Sequence, residues 1–268
     1  MHSEAPIGVF DSGVGGLTVA REIMRQLPNE SIIYFGDTAR VPYGSKSKET
    51  VITYSRQIVQ FLMTKEVKAI VIACNTASAF ALETIQKEVG IPVIGVVKPG
   101  AKVAAETTKN HKVGVIATEG TINSHIYADY LSRTNPDVQV YGKACPLFVP
   151  LVEEGWLEDP ITTEVASRYL EELKQLGVDT LVLGCTHYPL LRRTVQQVMG
   201  DEVTLVNPAY ETAKRLREVL ENHQLLNQNG SVAHKFFVSD GAEKFKAFAN
   251  TILPCDVEET KDINIEQY

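Results

Sequence analysis

Two apolar segments of this chain, each followed at once by a cysteine, are near copies of one another. The first runs from Lys68 to Ala73 before Cys74, and the second runs from Asp179 to Gly184 before Cys185. Short apolar runs rich in β-branched residues are typical of strands buried in a parallel sheet. The repeat therefore predicts two equivalent strands, each with a thiol at its carboxyl end, and a site built from two halves.

The sequence around the two cysteine strands is repeated as well. Three later segments resemble earlier ones at nearly the same spacing: Lys112–Thr118 resembles Ile7–Ser12, Val165–Leu176 resembles the helical stretch that starts at Thr50, and Val203–Pro208 resembles Val93–Pro99. Strand patterns alternate with helical ones throughout, with helices predicted at Leu17–Gln26, Ala77–Glu88 and Tyr210–Glu221 and further strands at Ser31–Phe35, Pro92–Val96 and, last, Lys235–Val238. Such alternation predicts an α/β fold with parallel sheets covered on both faces.

The duplication predicts two similar parallel-sheet α/β domains. A segment that follows both copies often returns to the first, so we expect an N-terminal domain of residues 1–98 plus 208–268. The second domain is then residues 99–207. The dipeptides Pro99-Gly100 and Asn207-Pro208 are turn signals and are the predicted hinges between the two domains.

The composition of the chain limits which classes of partner and which cellular compartment are expected. The formal net charge is −7 and no basic run occurs, which disfavours a nucleic-acid partner. No apolar stretch reaches the ~20 residues of a membrane span, and the segment Met1–Pro6 lacks the pattern of a signal peptide. We therefore expect a cytoplasmic protein without a membrane partner, whose four cysteines are free thiols.

Both Cys74 and Cys185 are predicted to end a strand just before a helix. Ligands of parallel α/β sheets bind beyond the carboxyl ends of the strands, and a helix N-terminus favours a thiolate there. The alternative for each cysteine is a small apolar core residue, which the matching positions disfavour. Cys145 and Cys255 have no such match, and core packing is the better interpretation for both.

Two turns and one histidine are further candidates. The Gly-rich turn Asp11–Gly16 fits a phosphate or carboxylate held by backbone N–H groups, or else a turn that needs positive φ. The loop Asp37–Gly44 offers the Tyr43 hydroxyl and the Gly44 N–H to a ligand, or else is an ordinary turn capped by Asp37. His187 is close enough in sequence to orient or protonate the Cys185 thiol or a ligand.

Metal and redox sites are disfavoured by spacing. The sequence has no Cys-x-x-Cys and no His-x-x-x-His, so zinc binding and dithiol redox chemistry are poor interpretations of the cysteines. The Gly-rich turn is also neither a dinucleotide fingerprint nor a P-loop, because its last glycine position is a threonine and no lysine follows.

Together the motifs closely resemble those of the glutamate racemases, within the wider aspartate/glutamate racemase superfamily. The resemblance extends from about residue 7 to about residue 245. It is carried by Val9–Leu17, Gly36–Thr38 with Pro42–Gly44, Ala73–Ser78, Gly114–Thr118 with Gly120–Thr121, Ala144–Gly155 and Leu183–Leu190.

The resemblance implies a cofactor-independent isomerase without a metal, which interconverts L- and D-glutamate and supplies D-glutamate for peptidoglycan synthesis. It implies two domains related by pseudo-twofold symmetry, a site in the cleft between them, and a homodimer. Cys74 would take the proton from D-glutamate and Cys185 from L-glutamate, with helpers at Asp11, His187 and Glu153. The implied substrate-binding residues are Asp11, Ser12, Tyr43, Gly44, Asn75, Thr76, Thr118, Thr121, Thr186 and His187.

Two thiols suit this chemistry because inversion at carbon needs an acid and a base on opposite faces. If each sulfur approaches the carbon to ~3–3.5 Å, the sulfurs lie roughly 6–8 Å apart. Two alternatives remain. The first is an aspartate or related amino-acid racemase that uses the same thiols. The second is a non-catalytic carboxylate- or phosphate-binding α/β protein with unreactive thiols.

Overall fold

A computed structural model describes residues 2–268 of the chain, in which ten strands and eleven α-helices occur. The strands are β1 (Ile7–Asp11), β2 (Ile32–Gly36), β3 (Ala69–Ile72), β4 (Val93–Gly95), β5 (Lys112–Ala117), β6 (Gln139–Ala144), β7 (Thr180–Gly184), β8 (Thr204–Val206), β9 (Lys235–Val238) and β10 (Thr260–Asp262). The helices are α1 (Leu17–Gln26), α2 (Lys48–Met63), α3 (Asn75–Glu88), α4 (Val97–Thr107), α5 (Glu119–Asn123), α6 (Ile126–Thr134), α7 (Phe148–Glu153), α8 (Pro160–Gln175), α9 (Arg192–Met199), α10 (Pro208–Asn222) and α11 (Ala242–Ile252). Short 3-10 helices span Tyr43–Ser45, Tyr188–Leu191 and Ile265–Gln267.

The chain divides into two compact units. One holds the residues up to Val96 together with Ala209–Tyr268, and the other is Val97–Pro208. Whether these units are independent domains, with the boundaries at 98/99 and 207/208 that we predicted, stays a prediction.

The first unit contains a six-stranded sheet in the order β10-β9-β2-β1-β3-β4. All of its pairings are parallel, and β1 lies between β2 and β3. Strands β1, β2 and β3 are buried along their whole length, as continuous apolar runs require when helices cover both faces.

The second unit contains a four-stranded parallel sheet in the order β6-β5-β7-β8. This order repeats that of β2-β1-β3-β4, so the two cysteine strands, β3 and β7, occupy the same place in their sheets. The prediction of two similar parallel-sheet α/β units is therefore confirmed.

Local signals explain where several helices begin. Helix α2 begins after Ser47, whose hydroxyl accepts the Thr50 N–H, and α8 begins after Asp159 with Pro160 in its first turn. Helix α1 has the bounds predicted from its apolar period and buries Leu17, Ala20 and Ile23 among others.

Two expectations about the chain's course are wrong. Pro99-Gly100 does not form a turn but lies in the first turns of α4, where a proline is tolerated because its missing N–H has no helical partner; whether Pro99-Gly100 and Asn207-Pro208 are hinges stays a prediction. Lys235–Val238 is not the last strand, because α11 follows it and β10 then pairs with it at the sheet edge.

The four cysteines are free thiols, as predicted. Between residues 2 and 268 no helix is both long and apolar enough for a membrane span.

Candidate functional site

Cys74 is the N-cap of α3, directly after β3. The Ala77 N–H donates to Sγ of Cys74 at 3.4 Å, and the residue is only 6% exposed. A thiol at this position accepts a hydrogen bond from the first turn of the helix and faces the positive end of the helix dipole, and both favour its thiolate form. The predicted position of Cys74, at a strand end before a helix, is confirmed.

The Gly-rich turn after β1 brings two polar side chains to this end of the first sheet. The Asp11 carboxylate is fully buried and accepts the Gly13 N–H at 3.0 Å. Oγ of Ser12 lies 3.7 Å from Sγ of Cys74. Because β1 pairs with β3, the turn and the first cysteine share one edge of the sheet.

Gly16 of this turn is needed for close packing. In the part of the chain described, Gly13, Gly15 and Gly16 all lack a positive φ, so the positive-φ alternative is wrong. A Cβ at Gly16 would lie 2.4 Å from Cβ of Asp11 and 2.7 Å from Oη of Tyr34. The turn is therefore packed against Asp11.

Tyr34 is a buried residue of this site that the sequence did not identify. Its hydroxyl donates to the Gly13 carbonyl at 2.9 Å. Burial raises the pKa of Tyr34 well above its ordinary value, and the negative charges of Asp11 and Cys74 raise it further. A lone apolar-patterned tyrosine in a strand carries no sequence signal that distinguishes it from a core residue.

The loop Asp37–Gly44 follows β2 and begins beside the same strand end, since the Asp37 N–H donates to the Asp11 carbonyl at 3.0 Å. The Tyr43 hydroxyl donates to the Asp37 carboxylate, so its proton is already used within the protein. Gly44 is partly exposed next to it, and the Val41-Pro42 peptide before it is cis.

Cys185 directly follows β7, at the place equivalent to Cys74. The predicted position of Cys185, at a strand end before a helix, is confirmed, but this helix is the 3-10 helix Tyr188–Leu191, whose N-cap is His187, and α9 follows it. The second thiol consequently does not cap a helix. It is also 6% exposed.

His187 is the polar partner of the second thiol. Its Nδ1 atom lies 3.9 Å from Sγ of Cys185, and its Nε2 atom lies 3.2 Å from Oε1 of Glu153, the last residue of α7. The thiol, imidazole and carboxylate form a chain within the second unit, and an imidazole so placed can take or return a proton at the sulfur.

The remaining predicted site residues lie at the same strand ends. Asn75 and Thr76 open α3 and are buried, and Thr186 is buried between Cys185 and His187. Thr118 caps α5 after β5, the neighbour of β7, and its hydroxyl lies 3.1 Å from that of Thr121. Each unit thus presents hydroxyl and amide groups beside its thiol.

Two further tyrosines surround the second thiol. Burial raises the pKa of Tyr127 and of Tyr188, and the charge of Cys185 raises both further. The Tyr188 hydroxyl donates to the Cys145 carbonyl at 2.8 Å, and its ring meets Phe148 of α7 edge to face. These aromatic contacts hold the helix that carries Glu153.

Cys145 is fully buried, and burial raises the pKa of its thiol far above the ordinary value, which confirms the core-packing interpretation. Cys255 is only partly buried; burial, then the charge of Asp256, raises the pKa of its thiol. Among residues 2–268 no cluster of His, Cys, Asp or Glu is arranged to hold a metal ion.

Comparison with known proteins gives one consistent result. A family model described as Asp/Glu/Hydantoin racemase matches residues 7–216. The glutamate racemase of Geobacter metallireducens is 51% identical over 261 residues, covering 97% of each chain. A crystal structure of a glutamate racemase isoform from Bacillus anthracis matches with a TM-score of 0.94 at 41% identity, covering 98% of each chain. A glutamate racemase from Francisella tularensis, solved in complex with D-glutamate, matches with a TM-score of 0.93 at 40% identity, covering 99% of this chain and all of that one.

Proposed function

The chain belongs to the Asp/Glu/hydantoin racemase family, and we propose that it is a glutamate racemase, an isomerase that interconverts L- and D-glutamate. Cys74 and Cys185 are its two bases, no cofactor takes part, and the D-glutamate produced serves peptidoglycan synthesis. The observation that carries the proposal is the pair of thiols at equivalent strand ends, each with its own polar partners.

Racemisation requires a proton to leave one face of Cα and another to reach the opposite face. One thiolate takes the proton while the other thiol gives its own, so the two sulfurs exchange protonation states in each turnover. The proposal requires both thiols to approach Cα to ~3–3.5 Å from opposite faces.

The two thiols have different helpers, which suits a substrate whose two enantiomers present different faces. The Ala77 N–H and the dipole of α3 stabilise a Cys74 thiolate, and we assign to it the proton of D-glutamate. His187 and Glu153 serve Cys185, to which we assign the proton of L-glutamate. Asp11 is the proposed helper on the Cys74 side.

The carbanion formed at Cα needs placed donors because no electron sink is available in this proposal. Hydroxyl, amide, imidazole, carboxylate and backbone groups near the two strand ends are the proposed holders of the substrate's carboxylates and ammonium, and Tyr43 serves through its backbone because its hydroxyl donates to Asp37. These groups belong to Asp11, Ser12, Tyr43, Gly44, Asn75, Thr76, Thr118, Thr121, Thr186 and His187.

We also propose that the protein acts in the cytoplasm as a homodimer, as its resemblance to the glutamate racemases implies. Sedimentation equilibrium of the purified protein tests the second point: a mass of twice 29.6 kDa supports it, and a monomer mass contradicts it.

An assay by polarimetry tests the reaction and its substrate. We expect optical rotation to decay to zero from either L- or D-glutamate, and far more slowly, if at all, from L-aspartate. Decay from aspartate alone would favour the alternative of an aspartate racemase. No decay from either acid would favour the non-catalytic, carboxylate-binding alternative.

Replacing the thiols tests the mechanism. Cys74→Ala and Cys185→Ala should each abolish racemisation, because either change leaves one face of the substrate without a base. Cys255→Ala is the matched control and should retain wild-type activity, since this cysteine is outside both strand-end sites. Substantial racemisation by either catalytic variant would refute the two-thiol assignment.

A further inference from the structure

Tyr43 belongs to a buried polar cluster whose other members, Asp37 and Arg40, have no role in the chemistry described above. The centre of the cluster is Asp37, which is 0% exposed. The Asp37 carboxylate accepts hydrogen bonds from the Arg40 Nε–H and from the Tyr43 hydroxyl. The Nε atom of Arg40 lies 2.8 and 3.0 Å from the two carboxylate oxygens. A carboxylate buried this completely is tolerated only when charged and polar partners replace its water.

Arg40 connects this cluster to α2. Its Nη1 donates to Oε1 of Gln57 at 2.5 Å, and its guanidinium carbon lies 4.0 Å from the centre of the Tyr54 ring. Its Nη2 is buried and has no hydrogen-bond partner among the described residues. The guanidinium is held by stacking as well as by hydrogen bonds, and a lysine ammonium cannot reproduce that arrangement.

Tyr43 is the member of the cluster that belongs to the proposed substrate-binding segment. It is 1% exposed, and its ring lies 5.7 Å from that of Tyr54. Burial raises the pKa of Tyr43 well above its ordinary value, and the negative charge of Asp37 raises it further. The hydroxyl therefore stays protonated and remains a hydrogen-bond donor to Asp37. The Tyr43 side chain is therefore held both by the Tyr54 ring and by the hydrogen bond of its hydroxyl, and the backbone of Tyr43 and Gly44 is held with it.

We propose that Arg40 is a positioning residue for substrate binding, which acts through Asp37 and the Tyr43 hydroxyl to fix the Tyr43–Gly44 segment. The inference rests on the proposed function, which assigns that segment to glutamate. Arg40 sets the position of the segment and takes no part in proton transfer. Replacing Arg40 consequently weakens substrate binding and leaves the rate at which bound glutamate is racemised unchanged.

The test compares KM and kcat for glutamate in Arg40→Lys, Tyr43→Phe and the double variant. Lysine keeps the positive charge beside Asp37, and phenylalanine removes only the hydroxyl. Each single change should raise KM roughly tenfold, the scale of one hydrogen bond to a charged group, with kcat within about threefold of wild type. Because both substitutions break the same series of hydrogen bonds, from Arg40 through Asp37 to Tyr43, the double variant should raise KM no more than the larger single change.

Arg56→Lys is the matched control. Arg56 pairs with Glu88 through Nε and Nη2 in the same unit, but both side chains are exposed, so KM and kcat should stay at their wild-type values.

Three results would overturn the inference. These are an unchanged KM in folded Arg40→Lys, KM increases that multiply in the double variant, or a fall in kcat at constant KM. If the thermal transition shows that Arg40→Lys does not fold, Tyr43→Phe decides alone, and an unchanged KM there overturns it. A wild-type protein that does not racemise glutamate would refute the proposed function and this inference with it, whereas an active wild type with an unaffected KM refutes the inference alone.

Discussion

Oε1 of Glu153 lies 3.2 Å from Nε2 of His187, and the opposite ring nitrogen of His187 lies 3.9 Å from Sγ of Cys185. The histidine side chain is 4% exposed and the glutamate side chain 31% exposed. One imidazole therefore joins a buried thiol to a carboxylate that water can reach. A carboxylate in this position fixes the orientation of the ring and stabilises its protonated form.

The first prediction follows from that contact. Glu153→Gln removes the charge that stabilises a protonated His187, so proton exchange at Cys185 should slow and kcat should fall about tenfold or more. Glu154→Gln, at the exposed neighbouring position, should leave kcat unchanged. Steady-state racemisation rates measure both, and equal kcat values for the two variants would contradict the role of Glu153.

The second prediction concerns the packing of the Gly-rich turn. Gly16→Ala places a Cβ 2.4 Å from Cβ of Asp11, so the turn must shift, which should lower the free energy of unfolding by roughly 1–3 kcal/mol. Gly90→Ala is the control, since no atom lies within 4 Å of the added Cβ. Urea denaturation of both variants is the measurement, and a Gly16→Ala protein as stable as Gly90→Ala would show that the turn is loosely packed.

The third prediction concerns a buried ion pair in the first unit. Lys68 and Glu30 are both fully buried and paired; Lys68 Nζ also donates to the Leu225 carbonyl at 2.9 Å, and Glu30 accepts the Asn227 N–H at 2.8 Å. Lys68→Met leaves the buried Glu30 carboxylate without its positively charged partner and should lower the free energy of unfolding by about 3–5 kcal/mol. Adding Glu30→Gln should recover part of that loss in chemical denaturation.

Lys102→Met is the control for the ion pair. Lys102 and Glu106 are 3.9 Å apart and both mostly exposed, so their pairing should contribute at most about 0.5 kcal/mol. A loss in Lys68→Met no larger than in Lys102→Met would mean that Glu30 is compensated without its lysine.

The fourth prediction is a pH dependence at Asp179. Burial alone raises the pKa of Asp179, but hydrogen bonds from the Thr108 hydroxyl, the N–H groups of Asn110 and Lys109, and the Thr180 hydroxyl outweigh it and lower the pKa. A lowered folded-state pKa stabilises the fold above the unfolded value of about 3.9, and the contribution is lost as pH falls through the folded value.

The stability advantage of wild type over Asp179→Asn should therefore be largest near neutral pH and shrink below about pH 4. Urea denaturation at a series of pH values measures it. Asp137→Asn, an exposed change in the same unit, should show no such trend. A difference that grows as the pH is lowered would have the opposite sign to the one predicted.

The regular elements were predictable where one local pattern determined them. Leu17–Gln26 has the bounds that its apolar period predicts, because one face is buried along its whole length. The turn predicted at Pro99-Gly100 is wrong because the local turn signal is overridden by packing of α4. A Cβ at Gly100 would lie 2.8 Å from Cγ of Pro208, which is far away in the sequence. Strand β10 was missed because its three residues are polar and edge positions need no apolar face.

The candidate site was predictable where a motif marks a residue and not where packing alone does. The duplication identified Cys74 and Cys185 because each ends an apolar strand. Arg40 and Tyr34 could not be predicted as site residues because no motif marks them. Their roles depend on the buried groups that they contact in the folded protein, which sequence spacing does not encode. The full surroundings of Cys185 were not predictable for a similar reason, since the His187 imidazole beside it contacts Glu153, which is far away in the sequence.

The central claim, that two thiols act on opposite faces of one carbon, is tested most directly by racemisation in deuterated water. The reaction is stopped at low conversion, the enantiomers are separated, and deuterium at Cα is measured by mass spectrometry, starting once from L-glutamate and once from D-glutamate. We predict deuterium in the product enantiomer from its first appearance and none in the remaining substrate, because the proton removed and the proton delivered reside on different thiols. Deuterium in both pools from the start would contradict the account and indicate a single base.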